Sequence, residues 1–505
     1  MTEWILRSRS DRVLEPSFGD GSFLSALHST ASSRAWTEVE IAGVEIDERP
    51  FEQAISGGLI SRENAFRDDF LSVSPFPVDA VVGNPPYVRL RHLPSDQRVR
   101  ALRLTEDVLG VPMESSGSLW MPFVVHSSQF LRPGGRLALV LPYELTHVRY
   151  ARPLWEYLSA TFGSLTILRT RDRLFPEILQ EAVVLLADAK GRTTRTVELR
   201  AFDNVRDLGA DRPSAVSSVP LERVVAGDRV FQEALLPRPL QELLLDKARA
   251  LTVPAGEVAR FHIGYVSGDK RFFHPDAATV SDRGLPSQSL VPAVTSTRKL
   301  KGAGLRTSAL TSDRRERLFL PDVSRGLSTA EAAYVALGEE LGVDLRYKCA
   351  VRDPWFVVPS VEIPDVILSV FCELPLLMLN DAGFTASNSL LCGYMRGAED
   401  ATTFTTSWYT SLTALQCELQ VHSLGGGVLV LVPRETGAVR VARPPDGSES
   451  GLTRVNGLLA AGRLEDAYAA GDDLVLRGNG FSTREIGLIA EGAGILRRWR
   501  SNRPS

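Results

Sequence analysis

The sequence is poor in cysteine, has no long apolar run and carries no excess of positive charge. Its four cysteines (Cys349, Cys372, Cys392 and Cys417) form no Cys-x-x-Cys pair, which argues against a zinc site and for free thiols in a reducing compartment. No stretch of about 18 apolar residues occurs, so no membrane span is expected. The opening "MTEWILRSRSDRVLEP" is charged where a secretory leader needs an apolar segment. Together these features predict a cytoplasmic protein. The net charge of −4 lacks the overall basic balance common among nucleic-acid binders. No metal-spaced pair exists among His28, His92, His126, His147, His262, His274 and His422, so no metal is expected. A Gly-x-Ser-x-Gly elbow and a Pro-Asp…Glu-x-Lys array are also missing, which disfavours hydrolase and nuclease readings.

What is present is length and alternation. The 505 residues, 44% of them apolar, suffice for two or three domains with their own cores. "RVLEP", "EIAGVEID", "VDAVVGNP", "RLALVLP" and "EAVVLLADA" read as strands. "SFLSALHST", "LWMPFVVHSSQFL" and "RPLWEYLSATF" read as helices. Strands alternating with helices predict an α/β fold with a doubly wound, mostly parallel sheet over residues 1–205. Residues 206–235 have the composition of a linker, 236–440 read as an α+β domain, and 441–505 as a small helical C-terminal tail.

In doubly wound sheets ligands sit at the carboxyl ends of the strands. The segment "LEPSFGDGSFL" is a strand, a Gly-x-Gly turn (Gly19, Gly21) and a helix. Leu24 stands where a dinucleotide fingerprint has its third glycine. Glu15 and Asp20 would repel a pyrophosphate, so an adenosine with a cationic end suits the turn better than a dinucleotide. S-adenosylmethionine (SAM) is such a ligand. Alone, the turn is equally an ordinary tight turn. Glu45, at the end of the second strand, has the position from which an acid accepts ribose hydroxyls. Asp69 in "DDFL" would accept an adenine amino group.

"VVGNPPYVRL" then places a stiff corner after a strand. The exocyclic amino group of a purine is a poor nucleophile because its lone pair is delocalised. The Asn84 side-chain oxygen and the Pro85 carbonyl can each take one N–H and localise that pair. Proline fixes its own φ and restricts the residue before it, so Pro85 and Pro86 hold both acceptors. Tyr87 offers a face for a flipped base, worth ~1–3 kcal/mol.

These motifs, in this order, resemble those of gamma-class, TaqI-like SAM-dependent DNA methyltransferases acting on adenine N6. The resemblance is sharp over 12–190 and looser beyond. It implies S-adenosyl-L-methionine as cofactor, held by Glu15, Gly19, Asp20 and Gly21, then by Glu45 and Ile46, then by Asp69 and Phe70. It implies that Phe123 packs on the cofactor adenine and that Phe175 sandwiches the flipped base opposite Tyr87. Segments 290–302, 346–359 and 422–435 resemble target-recognition parts. In that light Arg298, Lys299 and Lys301 become DNA-backbone contacts, and Gly425, Gly426 and Gly427 allow close approach to a backbone. A solvated charged face and a plain hairpin are the alternatives. The implied partner is double-stranded DNA, beside a cognate restriction endonuclease or other defence-system protein, and the chain is read as a monomer. The family also has a helix-starting motif upstream of the glycine turn, and "MTEWIL" resembles only the end of that helix. Methylases of RNA bases or of glutamine amides share the corner, and a catalytically silent DNA-binding scaffold is the remaining alternative. Cytosine N4 is disfavoured because Ser usually replaces Asn there.

Overall fold

The computed structural model describes residues 1–175, 181–424, 427–445 and 449–501. The chain divides into two units, Met1–Leu235 and Leu236–Ser505.

The first unit is built on a nine-stranded sheet. Its strands are β1 (Arg12–Glu15), β2 (Glu40–Glu45), β3 (Ala65–Arg67), β4 (Val78–Gly83), β5 (Leu131–Pro142), β6 (Phe162–Thr170), β7 (Ala182–Lys190), β8 (Thr196–Phe202) and β9 (Ala215–Pro220). The helices are α1 (Thr2–Ile5), α2 (Ser22–Ser33), α3 (Glu48–Ser56), α4 (Ser95–Leu109), α5 (Trp120–Phe130) and α6 (Arg152–Thr161). The strand order is β3-β2-β1-β4-β5-β7-β6-β8-β9. The first five pair in parallel, β7 is antiparallel to both neighbours, and β9 is antiparallel to β8. This is the doubly wound α/β sheet expected from the alternation.

The chain winds outward from β1 to β2 and β3, then returns to β4 on the other side of β1. That reversal is a topological switch point, where the loops leaving two adjacent strands diverge and open a crevice. Val13 pairs with Ala80 and Leu14 with Val81, so the loops after Glu15 and Gly83 leave the same sheet edge. The central strands are uninterrupted apolar runs because both faces are covered; Val13, Leu14, Ala80, Val81 and Val82 are fully buried. Phe18, Leu24, Leu27 and Phe51 fill the layer between the sheet and α2 and α3. α1 is tied down by Arg34 and Arg136, whose guanidinium groups donate to the Leu6 and Ile5 carbonyls. Arg136 also forms a buried ion pair with Asp11.

Residues 206–235 are not a linker. β9 closes the edge of the sheet against β8. Short helices at Leu221–Ala226 and Val230–Glu233 follow, and Phe231 is buried with its ring 5.7 Å from Trp155. Of the residues that suggest a linker, Ser218 is exposed, Ser217 donates to the Ala234 carbonyl, and Pro220 ends an edge strand, where it is tolerated.

The second unit is α+β. Ala259–Ile263, Leu390–Met395, Val366–Ser369 and Leu377–Leu379 form an antiparallel sheet in that order. A second sheet joins Glu316–Phe319, Leu290–Val294 and Thr385–Ala386 around a core of Phe272, Phe319 and Tyr334. The C-terminal residues are not an appended tail. Arg440–Ala442 pairs with Thr252–Pro254, and the helix Thr483–Ser501 packs on the buried helix Ser411–Gln420. Arg500 donates to both carboxylate oxygens of Glu418, to the Gly427 carbonyl and to the Glu373 carbonyl. Among the described residues no helix is long and apolar enough to cross a membrane.

The Glu418–Arg500 pair is buried at both ends, at 2% and 6% side-chain exposure. Arg500→Met strips a buried carboxylate of its hydrogen-bonded cation and leaves only Arg497, 3.9 Å away, and is expected to lower unfolding stability by ~3–5 kcal/mol. Urea denaturation followed by circular dichroism measures this.

Candidate active site

The crevice is built from two loops. The first follows β1. Gly19 (φ +51°) and Gly21 (φ +77°) adopt left-handed backbone that other residues rarely take, and the turn delivers the chain into α2. The Asp20 carboxylate accepts from the Ser22 amide and hydroxyl, which fixes the helix entry. The space a Cβ would occupy at Gly19 is open, so a ligand can approach the backbone there.

Three carboxylates share this loop. Glu45, at the end of β2, accepts from the Gly19 amide (2.8 Å) through one oxygen and from the Asp47 amide (2.9 Å) through the other. Glu15 is 1% exposed, and its Oε2 has no hydrogen-bond partner among the described residues. Burial, followed by the charges of Asp20 and Glu45, raises its pKa well above the usual carboxylate range. A buried acid with one oxygen unpartnered, beside two others, is costly to ionise in the free chain, and a cationic ligand offsets that cost. Ile46, next to Glu45, is 53% exposed and offers an apolar face at the same strand end.

Asp69 is more committed than the sequence suggests. Its Oδ1 accepts from the Leu71 amide, and its Oδ2 pairs with Arg100 of α4 at 2.6 Å. Phe70 and Phe123 are both buried, with ring centroids 5.1 Å apart, in a cluster with His126 and Phe130.

The second loop follows β4 and carries the Asn-Pro-Pro-Tyr corner. Asn84 is exposed, Pro85 is buried, and Pro86 and Tyr87 are half-buried. The Tyr87 hydroxyl donates to Asn84 Oδ1 at 2.8 Å and lies 3.0 Å from the Val140 carbonyl, a second acceptor. Burial pushes the Tyr87 phenol pKa up, so it stays a neutral donor. Among the described residues nothing donates to the Pro85 carbonyl.

The two loops touch. The Ser17 hydroxyl of the glycine loop donates to the Asn84 carbonyl at 3.4 Å. A Cβ added at Gly83 would lie 3.1 Å from Pro16 and 3.7 Å from Glu15. The cofactor motif and the corner therefore line one crevice. Phe175 is half-buried against the core cluster that includes Val82, Val140 and Val184.

Arg298 and Lys301 are exposed, with no side-chain partner among the described residues. Lys299 is half-buried and donates to the Asp313 carbonyl at 2.8 Å. Gly427 is closed off: its carbonyl accepts from Arg500, and a Cβ there would lie 2.6 Å from Ser501 Cα. The left-handed backbone at Gly427 thus serves the C-terminal helix and not an open approach. Gly425 and Gly426 lie outside the described residues. No group of three His, Cys, Asp or Glu residues suited to a metal occurs among the described residues.

Two parts of the site escaped sequence reasoning. One is Ser17, a small polar residue between Pro16 and Phe18. The other is a carboxylate hub at Glu144, which receives Arg89, Trp120 and Tyr150. The only local signals for the hub are the Arg two residues after Tyr87 and the "PYE" after β5.

This crevice on this sheet defines a class I SAM-dependent methyltransferase. The acid-lined loop fits the cofactor, because the unpartnered Glu15 oxygen and the open face of Gly19 suit a ligand with a cationic amino acid on an adenosine. Residues 35–171 match the Eco57I restriction-modification methylase model, and 231–476 match the C-terminal domain of the type II methyltransferase M.Eco57I. The chain belongs to this family of restriction-modification methylases. It is 23% identical over 418 residues to the type II methyltransferase M.AccI of Acinetobacter calcoaceticus, covering 78% of this chain and 73% of that protein. It is 24% identical over 387 residues to M.XamI of Xanthomonas campestris pv. amaranthicola, covering 74% and 69%. Its fold is also similar to that of the type IIL restriction-modification enzyme MmeI, solved in complex with DNA, with a TM-score of 0.55 at 12% identity over 98% of this chain and 73% of that one.

Glu15 carries the site's pH signature. Its raised folded pKa means that the free chain holds a proton that the unfolded chain releases at lower pH. Burial of the charged form therefore costs stability above the ordinary carboxylate range. Glu15→Gln is expected to raise the thermal midpoint of the free chain at neutral pH by ~2–4 °C, the shift that ~1 kcal/mol produces in a domain of this size. The same change weakens SAM binding and flattens its decline as pH falls, measured by calorimetric titration.

Proposed function

We propose that the protein transfers the methyl group of S-adenosylmethionine to the N6 amino group of an adenine flipped out of a specific double-stranded DNA sequence, as the modification activity of a restriction-modification or phage-defence system. The observation that carries this reading is the exposed Asn84 amide on a proline-stiffened corner, joined by Ser17 to the acidic glycine loop.

When bound, the cofactor supplies a methyl group on a sulfonium, a good leaving group. The residues fitted to hold it are Glu15 for the cationic end, Glu45 for the ribose and Asp69 for the adenine amino group. Phe70, Phe123 and Ile46 are its apolar neighbours. The Glu45 and Asp69 side chains each keep unused lone pairs, since a carboxylate has about four acceptor sites and the chain uses two.

The chain's remaining work is positioning. The Asn84 oxygen and the Pro85 carbonyl accept the two N–H groups of the target nitrogen and turn its lone pair outward. Bound there, the cofactor would give up its methyl group to this nitrogen and leave as a neutral thioether, and the nitrogen would shed one proton to solvent. No base is needed before the attack. Tyr87 stacks on the extruded ring, with Phe175 as the second wall. The second unit reads as the target-recognition part, with Arg298 and Lys301 as phosphate contacts. Lys299 is already engaged by the Asp313 carbonyl and contributes less.

Asn84→Ala is expected to lower methyl transfer by ~10²-fold or more while leaving cofactor affinity and thermal midpoint unchanged. Single-molecule sequencing of DNA from cells expressing each chain reads activity, base and sequence context together; unmodified adenines with the parent chain overturn the reading. Replacing Arg298 and Lys301 by Gln is expected to weaken DNA binding equally across sequences and reduce the slope of log K against log salt by about 2. Fluorescence anisotropy at several salt concentrations measures it.

A further inference from the structure

We propose that Glu144 is a positioning residue for methyl transfer, holding the Asn84–Tyr87 corner in register through Arg89. This rests on the methyl-transfer reading above and adds a residue that neither motif contains.

The corner is fastened at several points. At its start, Asn84 follows β4 directly, and its carbonyl accepts from Ser17. In its middle, the Tyr87 hydroxyl reaches the Val140 carbonyl on β5. At its exit, the backbone crosses residues 117–119: the Leu90 amide donates to the Gly117 carbonyl and the Leu119 amide to the Val88 carbonyl. Between these backbone bonds stands Arg89, whose Nη2 donates to Glu144 Oε2 at 2.8 Å. Glu144 lies two residues beyond the end of β5, the strand that also receives Tyr87.

The carboxylate is a junction. Its Oε1 accepts from the Trp120 indole at 3.1 Å and from the Tyr150 hydroxyl at 2.8 Å. Trp120 is fully buried at the start of α5, the helix that carries Phe123. The Glu144 side chain is 15% exposed and Arg89 39%, so the ion pair is partly shielded from water. Trp120 and Tyr150 fix one carboxylate oxygen, and the other aims at the corner's exit. A corner that acts by geometry alone loses rate steeply with small displacements, which makes such a brace a kinetic element as well as a structural one.

The isosteric change Glu144→Gln separates the two roles. The amide oxygen still accepts from Trp120 and Tyr150, while the amide nitrogen turns a donor toward Arg89 and breaks only that link. Methyl incorporation from labelled SAM into methylation-free genomic DNA gives kcat and KM; calorimetry gives SAM affinity, and thermal denaturation reports the fold. Glu144→Gln and Arg89→Met are expected each to lower kcat about ten- to hundred-fold with KM and Kd for SAM unchanged. The double variant falls no further, as two members of one coupled pair should behave. Arg89→Lys, which keeps the charge, recovers part of the loss. An unaltered kcat in Glu144→Gln overturns this assignment alone. A rate loss accompanied by an equal loss of SAM affinity or by a collapsed thermal midpoint also overturns it, since it marks a merely structural role. No methyl incorporation by the parent chain overturns the methyl-transfer reading itself.

Discussion

Parallel pairing of β1 with β4 is the constraint on which the site depends. It sets Leu14 beside Val81, so the chain leaves both strands at one edge of the sheet. The glycine loop supplies acids and open backbone, and the β4 loop supplies a rigid acceptor. A side chain larger than glycine at position 83 would press on Pro16. Sequence chemistry enters here through size: a single hydrogen at Gly83 lets the two loops close to hydrogen-bond distance between Ser17 and Asn84.

The first loop concentrates negative charge, and the sheet makes that charge expensive to keep. Glu45 offsets the cost with two backbone amides. Asp69 offsets it with an amide and with Arg100. Glu15 has no partner at Oε2 among the described residues, and burial, followed by the charges of Asp20 and Glu45, raises its pKa. Glu45 and Asp69 are therefore held by the protein itself, while one oxygen of Glu15 has no partner among the described residues.

Much of this was readable in the sequence, for physical reasons. Buried parallel strands are runs such as "VVG" and "LALVL", which periodicity finds without help. The glycine turn and the proline corner declare themselves because few residues fit those backbone conformations. Reading failed where tertiary context decided. β8 alternates buried and exposed residues beside the edge strand β9, and the serines of β9 mimic a linker. Gly427 looked like an approach to DNA, yet Arg500, 73 residues further along the chain, closes over it. Asp69 was legible as an acid at a strand end, but its cation sits on α4, 31 residues away. Glu144 joins Arg89, 55 residues earlier in the chain, and no spacing rule links two such positions.

Tyr87 shows how the corner is satisfied within the chain itself. Its hydroxyl has one hydrogen and two acceptors within reach, Asn84 Oδ1 and the Val140 carbonyl. A neutral hydrogen bond of this kind contributes only about 1 kcal/mol net, because water competes for both partners. On the proposed reading, an incoming amino group takes the Asn84 oxygen while the hydroxyl turns to Val140, so no buried group is left unsatisfied at any stage. The exchange is close to balanced, and the free energy of extruding a base then falls on stacking against Tyr87 and on contacts made by the second unit. A base already weakly paired needs less of that contribution. The corner thus fixes geometry and leaves affinity to the rest of the protein, as a site acting through position requires.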